Sequence, residues 1–212
     1  MSRYRITFSK TEAMRFTSHL DLHRTLERTM RRANLPLAYS QGFTPRPKLS
    51  LASALPLGYT GEAEMADFWL KEEMPLDQIE QTFINSQPPG IELHKVEAVA
   101  SGAEKLQTSL TKARYTVTLD GQFPGLEDKI AQLLSAETIL KEKVKKGKKK
   151  TFDIRPLIFE VKLAPIDEAG NQQLEMTLMA EPSATGRPDH ILEELGIDPL
   201  SARIHRTELI FS

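Results

Sequence analysis

The sequence predicts an α+β protein made of two copies of one β-α-β-β-α-β unit, and three observations predict it. Short period-2 apolar runs alternate with helical runs in the order strand, helix, strand, strand, helix, strand, and that order occurs twice. Segments match at a fixed offset of 111 residues: Arg3-Tyr4-Arg5-Ile6-Thr7-Phe8 with Arg114-Tyr115-Thr116-Val117-Thr118-Leu119, and Ala63-Glu64-Met65 with Leu174-Glu175-Met176. Leu93-His94-Lys95-Val96-Glu97-Ala98-Val99 matches Ile204-His205-Arg206-Thr207-Glu208-Leu209-Ile210 at the same offset of 111. Charge alternates on a similar scale: residues 1–50 carry net +7, residues 51–100 net −7, residues 101–150 net +5 and residues 151–212 net −6.

In the first copy, Tyr4, Ile6 and Phe8 alternate with Arg3, Arg5 and Thr7 as a half-buried strand does. A helix follows over Ser18–Ala33. Ser18 is its N-cap, Asp21 at N3 makes a box-like pair with the cap, and Leu22, Leu26, Met30 and Ala33 form the buried stripe. Asn34 and Pro36 stop the helix. Leu35–Tyr39 and Lys48–Leu55 read as extended, with a loop between them, and Gly58 and Gly61 mark a turn before a strand over Ala63–Leu70. A helix over Leu76–Asn85 ends at Pro88-Pro89-Gly90, and Ile91–Val99 is the last strand.

The second copy reads as a strand (Arg114–Leu119), a helix (Gly125–Leu134), a strand around Ile154–Leu163, a strand (Leu174–Ala180), a helix (Pro188–Leu195) and a strand (Ala202–Phe211). This order is ferredoxin-like: antiparallel sheets with helices on one face and the other face available. The expected units are residues 1–100 and 113–212, joined by a polar linker over 101–112, with a lysine-rich arm at 141–150 in the second unit.

Composition removes several classes of chemistry. The chain has no cysteine, which excludes disulfides, thiolate nucleophiles, zinc-thiolate sites and ordinary iron–sulfur ligation. Its five histidines form no metal-binding helix motif, although His19 and His23 stand four apart. No glycine-rich phosphate loop, nucleophile elbow or dinucleotide fingerprint is present. The expectation is a protein without a metal or cofactor of its own. The N-terminus has no apolar signal core, and nowhere do 18 apolar residues run together, which points to a cytoplasmic chain without membrane contact.

Four segments are candidate sites. The loop Ser40-Gln41-Gly42-Phe43-Thr44-Pro45-Arg46-Pro47 and the following Lys48 present one ring and two cations. Phe43 suits base stacking while Arg46 and Lys48 meet phosphates; the alternative is a ring that plugs the edge of the core. The first helix carries Arg24, Arg28, Arg31 and Arg32 away from its apolar stripe, suited to a phosphate backbone or an acidic partner, or else simply solvated. The arm holds seven lysines in ten residues, among them Lys145, Lys146, Lys148, Lys149 and Lys150. It reads as a polyanion-binding arm or hairpin, with Asp153-Ile154-Arg155-Pro156 as its anchor and Arg155 pointing back toward the same ligand. His19, between Ser18 and Asp21 at the helix entrance, is a candidate acid, base or phosphate contact; capping accounts for its two neighbours.

The runs Arg15-Phe16-Thr17-Ser18-His19-Leu20-Asp21-Leu22 and Arg31-Arg32-Ala33-Asn34-Leu35-Pro36-Leu37-Ala38-Tyr39-Ser40-Gln41-Gly42-Phe43-Thr44-Pro45-Arg46-Pro47-Lys48 resemble the radical-SAM-linked protein family of bacteria. Its members occur fused to, or encoded beside, cobalamin-binding radical SAM proteins. The resemblance spans essentially the whole chain and includes the lysine run. Family members often have histidine where this chain has Arg46, a departure that weakens any catalytic role for the loop and leaves a binding role intact. A radical SAM enzyme needs three cysteines for its cluster, so the resemblance implies the linked partner, and it associates the family with RNA. A fold-level likeness to the tandem ferredoxin-like endoribonucleases that process CRISPR repeats rests on the two units and an early histidine, without their glycine-rich loop near the C-terminus.

The expected function is an RNA-binding accessory protein, not itself an enzyme, that presents a transfer or ribosomal RNA to a radical SAM partner. The alternatives are a metal-independent endoribonuclease with His19 as acid or base, and a protein-interaction module that meets an acidic partner.

Overall fold

The computed structural model describes residues 1–145 and 148–212. The chain divides into two compact units, one of Met1–Leu110 with Arg206–Ser212 and one of Thr111–His205. Among the described residues no helix is long and apolar enough to cross a membrane.

The first unit contains β1 (Ser2–Lys10), α1 (His19–Arg32), β2 (Leu49–Leu51), β3 (Tyr59–Leu70), α2 (Leu76–Ile84), β4 (Ile91–Val99) and the short α3 (Leu106–Ser109). Its strands pair antiparallel in the order β4-β1-β3-β2. Ile6, Ala66 and Leu51 stand in one register row, and Tyr4, Phe68 and Leu49 in the next. These rows join Leu22, Leu26, Met30 and Ala33 of the first helix and Ile79 and Phe83 of the second in one core, so both helices cover the same sheet face.

The opposite face is partly covered, which departs from the expectation of an open face. Arg5, Asp67 and Ser50 share a register row there. Asp67 is buried and accepts from Arg5 Nε at 2.8 Å and from Arg3, while Gln107 donates to Ser50 and to the Leu51 carbonyl. Arg3 also donates to the carbonyls of Ala103 at 2.8 Å and Glu104 at 2.7 Å. The stretch expected to be a featureless linker thus forms α3, with Leu106 and Leu110 buried. Leu106 is the one apolar residue of that short helix, and Leu110 already begins the following strand.

The second unit contains β5 (Leu110–Leu119), α4 (Leu126–Ser135), β6 (Leu140–Lys145), β7 (Lys148–Asp153), β8 (Ile158–Ala164), β9 (Gln173–Glu181), β10 (Ala184–Thr185) and α5 (Pro188–Glu194), and β11 (Ala202–Phe211) straddles the division of the chain. β9 lies between β5 on one side and β8 and β10 on the other, all antiparallel. Tyr115, Met176 and Val161 form one buried row; in the next, Val117 and Leu174 are buried and Leu163, at the outer side, is exposed. Opposite Tyr4 stands Phe68, and opposite Tyr115 stands Met176. Paired by strand register, β3 and β9 therefore differ by 108 residues and not by the 111 of the Glu64 and Glu175 match.

Candidate nucleic-acid interface

α1 is closed at both ends by its own backbone chemistry. Ser18 Oγ accepts from the Asp21 N–H at 3.2 Å and donates to the Asp21 carboxylate at 2.7 Å. At the other end Asn34 adopts a left-handed conformation with φ 54°; its N–H reaches the Arg31 carbonyl at 3.1 Å, and the Leu35 N–H reaches the Met30 carbonyl at 3.2 Å. Leu35 is buried in the same core as Met30. The stripe of Leu22, Leu26 and Met30 faces the core, which leaves Arg24, Arg28, Arg31 and Arg32 exposed.

These arginines differ in how they are occupied. Arg24 pairs with Asp21 at 3.1 Å in an exposed ion pair. Among the described residues no carboxylate lies within 4.0 Å of Arg28, Arg31 or Arg32. The Arg31 guanidinium sits over the Tyr39 ring at 6.0 Å, and Lys71 Nζ sits over the same ring at 6.0 Å. Neither Tyr39 nor Lys71 was identified from the sequence. Lys71 is brought in by its N–H, which donates to the Pro36 carbonyl at 2.8 Å, a contact between segments 35 residues apart in the chain.

The loop after Tyr39 is a closed projection. The Lys48 N–H donates to Ala38 at 2.8 Å, Ser40 donates to the Arg46 carbonyl at 2.8 Å, and the Arg46 N–H returns to Ser40 Oγ at 3.1 Å. Phe43, at the tip beyond this closure, is fully exposed and plugs nothing. Arg46 is exposed with it, whereas Lys48 is half-buried and touches the Met1 sulfur at 3.7 Å. Phe43 and Arg46 therefore offer a ring and a cation on one short loop of the unit that also carries the α1 arginines.

The lysine-rich segment is a two-stranded hairpin of β6 and β7, with Lys143 opposite Lys150, Val144 opposite Lys149 and Lys145 opposite Lys148. Lys146 lies outside the described residues. The hairpin base is fixed: Asp153 Oδ1 accepts from the N–H groups of Ile139 at 2.7 Å and Arg155 at 3.0 Å, and Lys141 bridges Glu193 at 2.9 Å and Glu194 at 2.7 Å. The two glutamate partners raise the Lys141 pKa despite partial burial. Lys149 and Lys150 are exposed, Lys149 pairing with Glu142 at 3.0 Å.

Arg155 departs from its expected role. Its guanidinium donates to the carbonyls of Leu134 at 2.9 Å, Ala136 at 3.2 Å and Ile158 at 3.2 Å. It satisfies the end of α4, where carbonyls lack helical partners, and so it serves the fold and not a ligand beside the hairpin.

His19 opens α1 beside a buried polar cluster. Lys10, Glu64 and Arg206 are all fully buried. Lys10 Nζ donates to the carbonyls of Thr17 at 3.0 Å, Tyr59 at 3.0 Å and Arg15 at 3.3 Å. Arg206 grips Glu64 with two nitrogens, Nε at 2.7 Å, and reaches Ser53 and the Ala54 carbonyl. Burial, with His23 and Arg206 nearby, holds the His19 imidazole below the ordinary histidine range, and its Nδ1 is enclosed without a hydrogen-bond partner. His23 Nε2 meets the Leu49 carbonyl at 3.2 Å. Among the described residues no three histidine, aspartate or glutamate side chains are grouped to hold a metal ion.

Fold and surface together define an α/β protein with mostly antiparallel strands and an arginine-rich helix face. The chain belongs to the bacterial family described as "Uncharacterized protein conserved in bacteria (DUF2344)", whose profile matches residues 3–188. No curated protein matches the sequence. Among solved structures the chain is similar to one described as "Crystal Structure of a Cbf5-Nop10-Gar1 Complex", at 13% identity and a TM-score of 0.50. The match covers 97% of this chain and 48% of the other, so the chain spans about half the length of that neighbour. The likeness is one of fold.

Proposed function

We propose that this protein is an RNA-binding accessory of a radical SAM enzyme, built from two ferredoxin-like units, that presents a transfer or ribosomal RNA for modification or processing in the cytoplasm. The observation that carries the RNA reading is Phe43, a fully exposed ring on a hydrogen-bonded loop beside Arg46. An exposed phenylalanine at a loop tip loses nothing when it leaves water against a base, and stacking of this kind is worth about 1–3 kcal/mol per base. The arginines of α1 and the lysines of the hairpin supply cations for phosphates, Lys48 and Arg46 assist at the loop, and the partner follows from the family resemblance of the His19 and Phe43 segments. The test is Phe43→Ala measured against single-stranded RNA. Affinity falls by about tenfold or more while the melting temperature is unchanged. Equal affinity for both proteins removes the loop from the interface.

A second reading is favoured by one observation. Burial holds the His19 pKa below the ordinary histidine range, which favours the neutral imidazole that a general base needs. On that reading the protein cleaves RNA without a metal. Incubation of RNA with the protein in EDTA yields defined fragments that His19→Ala no longer produces; intact RNA after prolonged incubation contradicts it. The enclosed Nδ1 has no carboxylate to orient it, because Glu64 is held by Arg206, so binding is the better-supported role.

A further inference from the structure

A cavity of about 500 Å³ opens beside α1, lined by Met14, Thr25, Arg28, Arg31, Arg32 and Pro88. Thr25, Arg28 and Arg32 follow one another at helical spacings of three and four and share a face, with Arg31 beside them. The far wall is fixed by backbone. The Thr11 N–H donates to the Gly90 carbonyl at 3.0 Å, and Gly90 adopts φ +91° with Met14 so close that a Cβ there would meet Met14 Cγ at 2.6 Å. The cavity is thus bounded by Met14 and Pro88 on one side and by the side chains of Arg28, Arg31 and Arg32 on the other, in a lining that is largely apolar.

None of these three arginines is held in an ion pair among the described residues, although Arg28 also acts on the Asp21 carboxylate at longer range. Among the described residues none has a carboxylate within 4.0 Å, and Glu12, the acid next to this wall, is paired with Arg15 at 3.2 Å. They are not needed as helix caps either, because Asn34 and Leu35 already satisfy the Arg31 and Met30 carbonyls. The C-terminal helix dipole contributes roughly half a negative charge, which offsets only part of three cations. Arg32 has one long contact, Thr29 Oγ1 at 3.5 Å, and Arg31 only the Tyr39 ring. A concave site with three unneutralised planar donors matches a compact dianion better than a diester backbone, whose single charges are spaced along an open surface.

We propose that this cavity binds a phosphomonoester dianion. The proposal rests on the RNA reading only for the source of the phosphate, which on that reading is the terminal phosphate of the bound strand. Arg28 and Arg32 grip the phosphate oxygens, Arg31 closes the third side from its place over Tyr39, and the apolar wall meets the adjoining sugar or base.

The experiment compares one short single-stranded RNA carrying a 5′-phosphate, a 3′-phosphate or hydroxyls at both ends, alongside inorganic phosphate followed through arginine Nε–H resonances. Each is repeated with Arg28→Gln and Arg32→Gln, both on an exposed helix face. One phosphorylated form binds about tenfold tighter than the hydroxyl form, inorganic phosphate shifts the arginine resonances, and both effects vanish in the variants. Equal affinity for all three RNAs with no response to inorganic phosphate overturns the pocket and leaves RNA binding intact. A response to inorganic phosphate without binding of any RNA supports the pocket for a small phosphate compound and overturns the RNA reading. Failure of all probes overturns both.

Discussion

Glu64 is enclosed in the middle of β3, and Arg206 reaches it from 142 residues away. Space for the carboxylate comes from Gly61, where a Cβ would stand 2.5 Å from Glu64 Oε1. Gly61 reads as a turn residue in the sequence, yet it lies inside β3, because the reason for glycine is the carboxylate and not the backbone bend. Removing one member of a buried, hydrogen-bonded ion pair strands the other charge and costs about 3–5 kcal/mol. Glu64→Gln and Arg206→Met are therefore each expected to destabilise by that order, and the double variant by less than the sum, as measured by chemical denaturation. Additive losses would show that the two charges do not depend on each other.

Beside that pair, burial and Arg206 push the Lys10 ammonium down to about 8, with Glu64 opposing them, against an ordinary 10.5. The unfolded chain then holds more protons than the folded chain between those two values, so this side chain's contribution to stability rises with pH across that window and is smallest below it. The stability of the wild type relative to Lys10→Met is expected to grow from pH 8 to pH 10. A difference that stays flat would show that Lys10 titrates as it does in the unfolded chain. None of this cluster was legible beforehand: Lys10, Glu64 and Arg206 look like ordinary surface charges until the strands bring them together.

At the scale of elements, α1 was legible almost to the residue, because its cap, its stripe and its stop are local. Ser18, Leu22–Met30 and Asn34 act within one or two turns of themselves. The loop around Phe43 was legible as a candidate but left two roles open, since exposure depends on what packs nearby; the closure from Ser40 to Arg46 holds the ring in solvent. The lysine segment was legible as an arm or hairpin from charge alone, whereas its base was not. Lys141 belongs by composition to the cationic run, yet Glu193 and Glu194 at the end of α5 hold it. Arg155 was similarly misread: a lone arginine after a lysine run suggests a ligand contact, and only the position of the α4 carbonyls shows its use. Tyr39 with Lys71 was missed because the ring and the cation come from separate segments.

At the scale of the molecule, the alternation of charge by segment separates two cationic elements, α1 with its loop in the first unit and the β6–β7 hairpin in the second. The sequence suggests a repeat through its strand segments, but the single offset of 111 does not hold between β3 and β9, where register gives 108. A short shared triplet around Glu64 matched by composition, and strand pairing is set by which residues reach the core.

The central claim is that these cations and Phe43 hold RNA, and the most direct test is affinity for total cellular RNA as a function of salt. Release of counterions gives a fall in log affinity against log salt of about 0.7 per phosphate contact on single strands. A slope of roughly −3 or steeper is expected, and replacing Lys149 and Lys150 with alanine should lower it by about 1.4 if both meet phosphates. A protein that fails to bind RNA at low salt, or binds with no salt dependence, contradicts the account.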